Sequence, residues 1–238
     1  MAEYEGLALE KDRAARAAVR LVRPGMRVAL GTGTTAAYAI RALAERSKTL
    51  GGEAVVASSP SSEMLAKELG MDVRPLAADD LFDVMIDGAD EVTPTLALTK
   101  GGGGALFREK LLARLSKELW IIVDHTKLVD RLGSRAAIPI EVVPYARPVV
   151  VTELTRRRFG VSLRPGADGR AFRTDNGNEI LDLRAPGPVD RPNELEDELR
   201  GITGVVETGL FIGMTHRVFV GLPDDKVEEL SVPDAPAR

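Results

Sequence analysis

From Arg27 to Val123 the chain alternates short apolar runs with stretches of helical spacing, and this alternation restricts the fold more than any other feature. "RVAL" precedes a helical pattern from about Thr35 to Arg46, and "EAVVAS" precedes a second one that ends at "ELG". "FDVMI" is followed by a Gly-rich loop, a helix from about Ala105 to Lys117 and the run "LWIIV". Strands and helices in this rhythm build βαβ units, because parallel neighbours need a crossover connection. "VMI" and "WIIV" are apolar without alternation, as strands covered on both faces are. One helix, Leu7 to Val22, precedes the first strand and stops at "RPG".

From about Leu132 the pattern changes. "PIEVV" reads as a strand and Val149 to Phe159 as a helix; "VSLRP" and "EILDL" are strands flanking "RTDNGN", whose Asn176-Gly177 is a hairpin turn signal. Asn193 to Arg200 is helical, "GVVETGLF" is the next strand, and "HRVFVGL" returns to the first sheet. The order β-α-β-β-α-β is a split βαβ plan. The expected fold class is therefore α/β: a Rossmann-like parallel-sheet domain, residues 1–131 plus 208–238, with a smaller ferredoxin-like α+β domain, residues 132–207, inserted near the C-terminus.

Composition removes several function classes. A formal net charge of −4 over 238 residues lacks the basic footprint of a nucleic-acid binder. There is no cysteine and there are two histidines, His125 and His216, so thiolate metal sites are excluded and a zinc site would need mostly carboxylates. The N-terminus is dense in charge without an apolar h-region, and no run reaches membrane-spanning length. The expectation is a cytoplasmic protein with no nucleic-acid or membrane partner, no metal and no cofactor.

Ligands of open α/β sheets bind beyond the carboxyl ends of the strands. Four polar loops are expected there: "GTGTT", "DGADEV", "KGGGGALFREK" and "DHTK". Gly31-x-Gly33-x-x-Ala36 formally meets a relaxed dinucleotide fingerprint, which also wants an acid at the end of the second strand. That strand ends "VVASSPSSE", with small hydroxyls in its place. Thr32, Thr34 and Thr35 at a helix N-terminus suit a compact phosphate monoester instead; alone, such a loop is more often a Gly turn with a Thr N-cap. Asp87, Asp90 and Glu91 crowd into five residues, where an Asx turn and a helix cap compete with a pair of reacting carboxylates. Gly101 to Gly104 would read as a linker, but at a helix N-terminus they offer bare N–H groups to an anion, with Lys100 beside them. Glu109 follows one turn into that helix; on a charged helix it would ordinarily be a surface residue. Lys127 is a second candidate cation, and His125, with no nucleophile to serve, reads as structural.

The order GTGTT, DGADEV, KGGGGALFREK, DHTK, PIEV, TDNGNEILD, GVVETGLF resembles ribose-5-phosphate isomerase, type A, from about Lys11 to Pro223. The family's usual first loop reads GTGST, so Thr34 replaces a serine and keeps the hydroxyl. The resemblance implies a metal-free aldose–ketose isomerase of the non-oxidative pentose phosphate pathway, interconverting D-ribose 5-phosphate and D-ribulose 5-phosphate through an enediolate. By motif, Glu109 matches the general base and Asp87 the carboxylate that assists ring opening, with Asp90 and Lys100 at the reacting end. Thr32, Gly33, Thr34, Thr35, Gly88, Ala89, Gly101, Gly102, Gly103 and Lys127 match substrate contacts, and Lys11 is a candidate to join them. A homodimer or homotetramer is expected from exposed sheet edges. The competing class is a non-catalytic sugar-phosphate sensor, which would need the cradle but not Glu109, Asp87 and Asp90; an acyl or CoA transferase is a third reading without a visible glutamate nucleophile motif.

Overall fold

The computed structural model describes residues 2–50 and 54–231. In chain order its first elements are α1 (Ala2–Arg20), β1 (Val28–Leu30), α2 (Thr34–Leu50), β2 (Val56–Ala57), α3 (Pro60–Glu68) and β3 (Phe82–Asp87). Two short strands follow, β4 (Glu91–Val92) and β5 (Leu98–Thr99), then α4 (Leu106–Arg114) and β6 (Ser116–Asp124). Next come β7 (Ile138–Val142), α5 (Arg147–Arg156), β8 (Gly160–Leu163), β9 (Glu179–Arg184), α6 (Pro192–Arg200) and β10 (Val205–Thr208). The chain closes with β11 (Leu210–Phe211), β12 (Arg217–Gly221) and β13 (Val227–Ser231). Among the described residues, no helix is long and apolar enough to cross a membrane.

Packing divides the chain into two units. The first holds the described residues up to Ala89, Arg108–Lys127 and those from Gly213 onward; the second holds Asp90–Phe107 and Leu128–Ile212. The second unit takes in the 132–207 span read from the sequence as the small domain and adds 90–107 to it. The 90–107 segment groups with the second unit because β5, with β4 on its other side, pairs with β11 in a three-stranded sheet.

The first unit is an α/β layer on a six-stranded sheet of order β13-β12-β6-β3-β1-β2. All its pairings are parallel except β12 with β13. β13 was not foreseen: its burial is partial, so it lacks the apolar run that marked the others. Alanines Ala14, Ala15 and Ala18 of α1 and Ala39 of α2 are fully or almost fully buried in one cluster with Ile40, Leu43, Trp120, Ile122 and Phe219. Trp120 and Phe219, on neighbouring strands, meet edge to face at 6.2 Å, a geometry aromatic rings prefer.

β1 is the hinge of the sheet's topology. It pairs with β2 on one side and β3 on the other, so the winding reverses direction there. The crevice outside the carboxyl ends of β1 and β3 is the topological switch point of such a sheet.

The second unit carries the split βαβ plan, with antiparallel order β10-β7-β9-β8. Ile138, Ile140, Val142, Leu181 and Leu183 alternate onto one face and bury against Val150 and Leu154 of α5 and Leu199 of α6. Asn176-Gly177 makes a tight turn, with Gly177 at φ +82° and its N–H donating to Thr174 O at 2.9 Å. Two expectations are corrected. "GVVETGLF" is two strands, because Gly209 donates to Pro139 O (2.7 Å) and accepts from Lys100 N (2.8 Å), handing the chain from one sheet to another; a Cβ there would lie 2.2 Å from Lys100 O. Helix α4 ends at Arg114 rather than Lys117, because Ser116 already pairs with Phe82 in the parallel sheet.

At the amino-terminal ends of β1 and β3, opposite the switch point, Asp80 is a buried clamp. It accepts from Ala77 N at 2.8 Å and from Arg74 at 2.5 and 2.6 Å, and it pairs with Arg27. The Arg74 guanidinium, with the Ala77 N–H, holds this carboxyl below the ordinary aspartate range. A depressed folded-state pKa gives stability that is complete above the unfolded value, near 4, and is lost as pH falls toward the folded value. Asp80→Asn is expected to cost about 1–3 kcal/mol at pH 7, and denaturant titrations should show the gap to wild type narrowing below about pH 4. A gap unchanged at acid pH would refute the ionic clamp.

Candidate active site

The loop after β1 is shaped by a carboxylate that arrives from β3. Asp87, fully buried, accepts from Gly88 N at 2.7 Å and from Thr32 N at 3.1 Å through Oδ1. Gly31 N donates to Ile86 O at 2.9 Å, so the two strands stay paired up to the turn. The carboxylate lies against Gly31 so closely that a Cβ there would sit 2.0 Å from its Cγ and Oδ1. The first glycine of "GTGTT" is thus explained by Asp87. α2 begins at Thr34, and the first N–H groups of a helix have no intrahelical acceptor. Gly33 and Thr34 are exposed, while Thr32 and Thr35 are half-buried.

The serines at the end of β2 brace this loop from the other side. Thr32 Oγ1 and Ser58 Oγ are 2.6 Å apart, Ser62 Oγ donates to Gly31 O at 2.7 Å, and Ser59 caps α3 through Ser62 N. The position where a dinucleotide site wants an acid for ribose hydroxyls holds hydroxyls that support the turn.

The third strand of this edge is β6, in register with β3. Asp124 at its end accepts from Thr126 N at 3.0 Å and faces Lys11 Nζ at 3.6 Å. Lys127 closes the 3-10 turn His125–Lys127 and is half-buried. His125 Nδ1 is 2.6 Å from the Glu10 carboxylate, which also accepts its backbone N–H. His216 Nδ1 accepts from Leu119 N. Both histidines are engaged in such contacts, and among the described residues no group of three or more His, Asp or Glu could hold a metal ion. α4 lies on the connection from β3 to β6. Glu109 stands in its first turn and is 2% exposed, where a charged helix would ordinarily carry a surface residue.

The second unit holds the remaining motif residues. Asp90 accepts from Gly102 N at 2.8 Å, and its own N–H donates to Thr99 O. Lys100, 3% exposed, lies with Nζ 5.3 Å from the centroid of the Phe211 ring. The "KGGGG" loop follows β5, so it leaves an antiparallel three-stranded sheet and not the parallel one that the strand-loop pattern suggested. Gly102 and Gly103 are exposed, Gly101 and Gly104 buried. Glu91, the third acid of "DGADEV", accepts from Gly133 N, Arg135 N, Ala136 N and Thr99 Oγ1 at 2.7–3.0 Å. It is a structural carboxylate that ties 133–136 to β4. Two residues went unseen in the sequence: Arg164, which donates to Gly101 O (2.8 Å) and Gly102 O (3.0 Å), and Phe172, packed under Gly104. Neither lies in a motif.

A doubly wound sheet whose switch-point loops carry hydroxyls, helix N–H groups and buried carboxylates defines an α/β protein for a small anionic ligand. The family model of ribose 5-phosphate isomerase A (phosphoriboisomerase A) matches residues 54–225. The ribose-5-phosphate isomerase A of Deinococcus radiodurans is 48% identical over 227 residues, covering 94% of this chain and 98% of that one. Among solved structures, ribose 5-phosphate isomerase A of Methanocaldococcus jannaschii aligns with TM-score 0.87 and 38% identity, over 94% of this chain and 98% of the other. A D-ribose-5-phosphate isomerase in complex with phospho-erythronic acid aligns with TM-score 0.89 and 36% identity, over 95% and 99%. The chain belongs to the ribose 5-phosphate isomerase A family.

The contact between Gly31 and Asp87 is testable. Gly31→Ala is expected to lower turnover about 10²-fold by displacing the carboxylate. The double variant with Asp87→Asn should lose no more than Asp87→Asn alone. Additive losses in steady-state kinetics would mean that Gly31 acts by another route.

Proposed function

We propose that the chain interconverts D-ribose 5-phosphate and D-ribulose 5-phosphate with Glu109 as the base that moves a proton between C2 and C1. The observation that carries this reading is the burial of Glu109, at 2% exposure, in the first turn of a crossover helix. Folds rarely bury a carboxylate without a structural or chemical use for it. One carboxylate on one face of the enediolate takes the proton from one carbon and returns it to the other. A general base contributes about 10²–10⁴-fold, which is too little for an α-proton, so charge on the developing oxyanion must also be met. One well-placed donor adds roughly 10²–10³-fold, and Lys100 with an N–H of the Gly101–Gly103 loop fills that role.

Because the sugar arrives mainly as a closed ring, an acid–base group must also move the anomeric proton. Asp87, beside the first loop, takes this part, and Asp90 lines the reacting end. Thr32, Gly33, Thr34 and Thr35 with Lys127 grip the phosphate, with Gly88 and Ala89 along the sugar. The phosphate grip is remote binding energy that positions C1 and C2. Lys11 is committed to Asp124 at 3.6 Å and acts through it. No step calls for a metal. The same reading makes the enzyme a cytoplasmic homodimer or homotetramer.

Glu109→Gln should lower kcat by about 10²–10⁴-fold while leaving substrate affinity, measured by calorimetry, within about 3-fold of wild type. Near wild-type turnover would overturn the base assignment, and wild-type protein that binds ribose 5-phosphate without converting it would be a sensor. Excess chelator should leave the isomerisation rate unchanged; a rate lost and then restored by added metal would contradict the metal-free route.

A further inference from the structure

We propose that Arg164 is a positioning residue for the isomerisation, fixing the direction of the backbone N–H group that meets the enediolate oxygen; this rests on the function proposed above. Arg164 comes from the residue following β8, more than sixty positions from the loop it holds. Its Nη1 donates to Gly101 O at 2.8 Å and to Gly102 O at 3.0 Å. The rest of the guanidinium is taken by Asp182 of β9, which accepts Nε at 2.9 Å and pairs with Nη2. Such a fork can hold a carboxylate on one side and carbonyls on the other, which an ammonium cannot reproduce.

The consequence follows from peptide geometry. In a trans peptide the C=O and N–H point in opposite directions, and the described residues contain no cis bond. Holding Gly101 O toward Arg164 turns Gly102 N away from it, and there that N–H donates to Asp90 Oδ2 at 2.8 Å. Holding Gly102 O toward Arg164 turns Gly103 N away in the same manner. Gly104 N is used within the loop, donating to Gly101 O at 2.9 Å. Of the two N–H groups turned away from Arg164, Gly102 N serves Asp90 and Gly103 N, on an exposed residue, is the one offered to a ligand. Without Arg164, Gly101 O keeps its bond from Gly104 N, but Gly102 O loses the bond that orients it, and a glycine peptide can flip at little steric cost.

Other contacts make Arg164 a fixed support. Its backbone N donates to Ile180 O at 2.9 Å, and its carbonyl accepts Phe172 N at 2.9 Å. Its guanidinium lies 6.0 Å from the centroid of the Phe172 ring, whose edge fills the space that a Cβ on Gly104 would need. The far end of the same segment is pinned to β7, where Glu141 Oε1 accepts from Thr174 Oγ1, Asn176 Nδ2 and Asn178 Nδ2 at 2.8–3.1 Å.

The test is steady-state kinetics and inhibitor binding on the full chain, for wild type, Arg164→Lys and Asp182→Asn. Arg164→Lys should lower kcat about 10–100-fold, part of the value of one oxyanion donor, with KM within about 3-fold. Phospho-erythronic acid, whose carboxylate stands in for the enediolate oxygens, should bind more weakly by the factor lost in kcat/KM. Inorganic phosphate should bind as in wild type. Asp182→Asn, which keeps the arginine and loosens its anchor, should show the same split with a smaller loss, and it decides the matter if Arg164→Lys does not fold. The inference is overturned if kcat stays within about 3-fold of wild type, or if phosphate affinity falls in step with the analogue, the pattern of general damage. Wild-type protein without isomerase activity would instead remove the function on which the inference rests.

Discussion

A buried carboxylate laid across the turn out of β1 sets the geometry at the switch point. Moving an ionised group out of water is costly unless hydrogen bonds replace its hydration, and Thr32 N and Gly88 N supply two of them to Asp87. Both N–H groups are available only if the chain leaves β1 and β3 at matched heights, which the Leu30–Ile86 register and the Gly31 N to Ile86 O bond provide. The carboxylate can approach only because residue 31 has no Cβ. The turn is then closed from its other side by Ser58 and Ser62. The "GTGTT" loop has its shape dictated from two directions before any ligand is considered, a preorganisation that lowers the cost of binding.

The hexapeptide "DGADEV" shows how three acids within five residues come to differ. Glu91 accepts four hydrogen bonds, three from consecutive or near-consecutive backbone N–H groups, and so serves as a strut. Asp90, half-buried, holds one peptide of the glycine loop. Asp87 sits at the end of a strand covered on both faces, against the first loop. Composition cannot separate them, because what distinguishes the three is where each strand-end points and which N–H groups the fold delivers there.

The same logic explains how much could be read in advance. The parallel sheet was legible because β1, β3 and β6 are long or apolar enough to stand out, and the small domain because Asn176-Gly177 and the 138–142 run mark its strands. The two-residue strands β4, β5 and β11 have no periodicity to detect, so the sequence pattern alone sets "KGGGG" beyond the parallel sheet and makes Gly209 an ordinary strand residue. β13 is exposed along much of its length and carries no apolar signature. Glu109, Asp87 and Lys100 were visible as motif residues, but their burial is a product of tertiary packing. Arg164 was invisible for a plainer reason: an arginine 63 positions from the carbonyl it holds leaves no local trace.

The run of four glycines shows why a linker and a cradle can share a sequence and differ in physics. In a linker the glycines are interchangeable, since each contributes only conformational freedom. Here the constraints are different at each step. Gly101 has φ +99° and packs against Leu106 and Pro139; Gly102 faces Asp90, whose Oδ1 would lie 2.7 Å from a Cβ; Gly104 has φ +82° and covers the Phe172 ring edge. Each neighbour removes freedom that glycine would otherwise have, and Arg164 and Asp90 hold opposite sides of the Gly101–Gly102 peptide. A loop restrained in this way has little further entropy to lose when a ligand docks. Glycine is required for the approach of the neighbours, and those neighbours then remove the flexibility for which glycine is usually chosen.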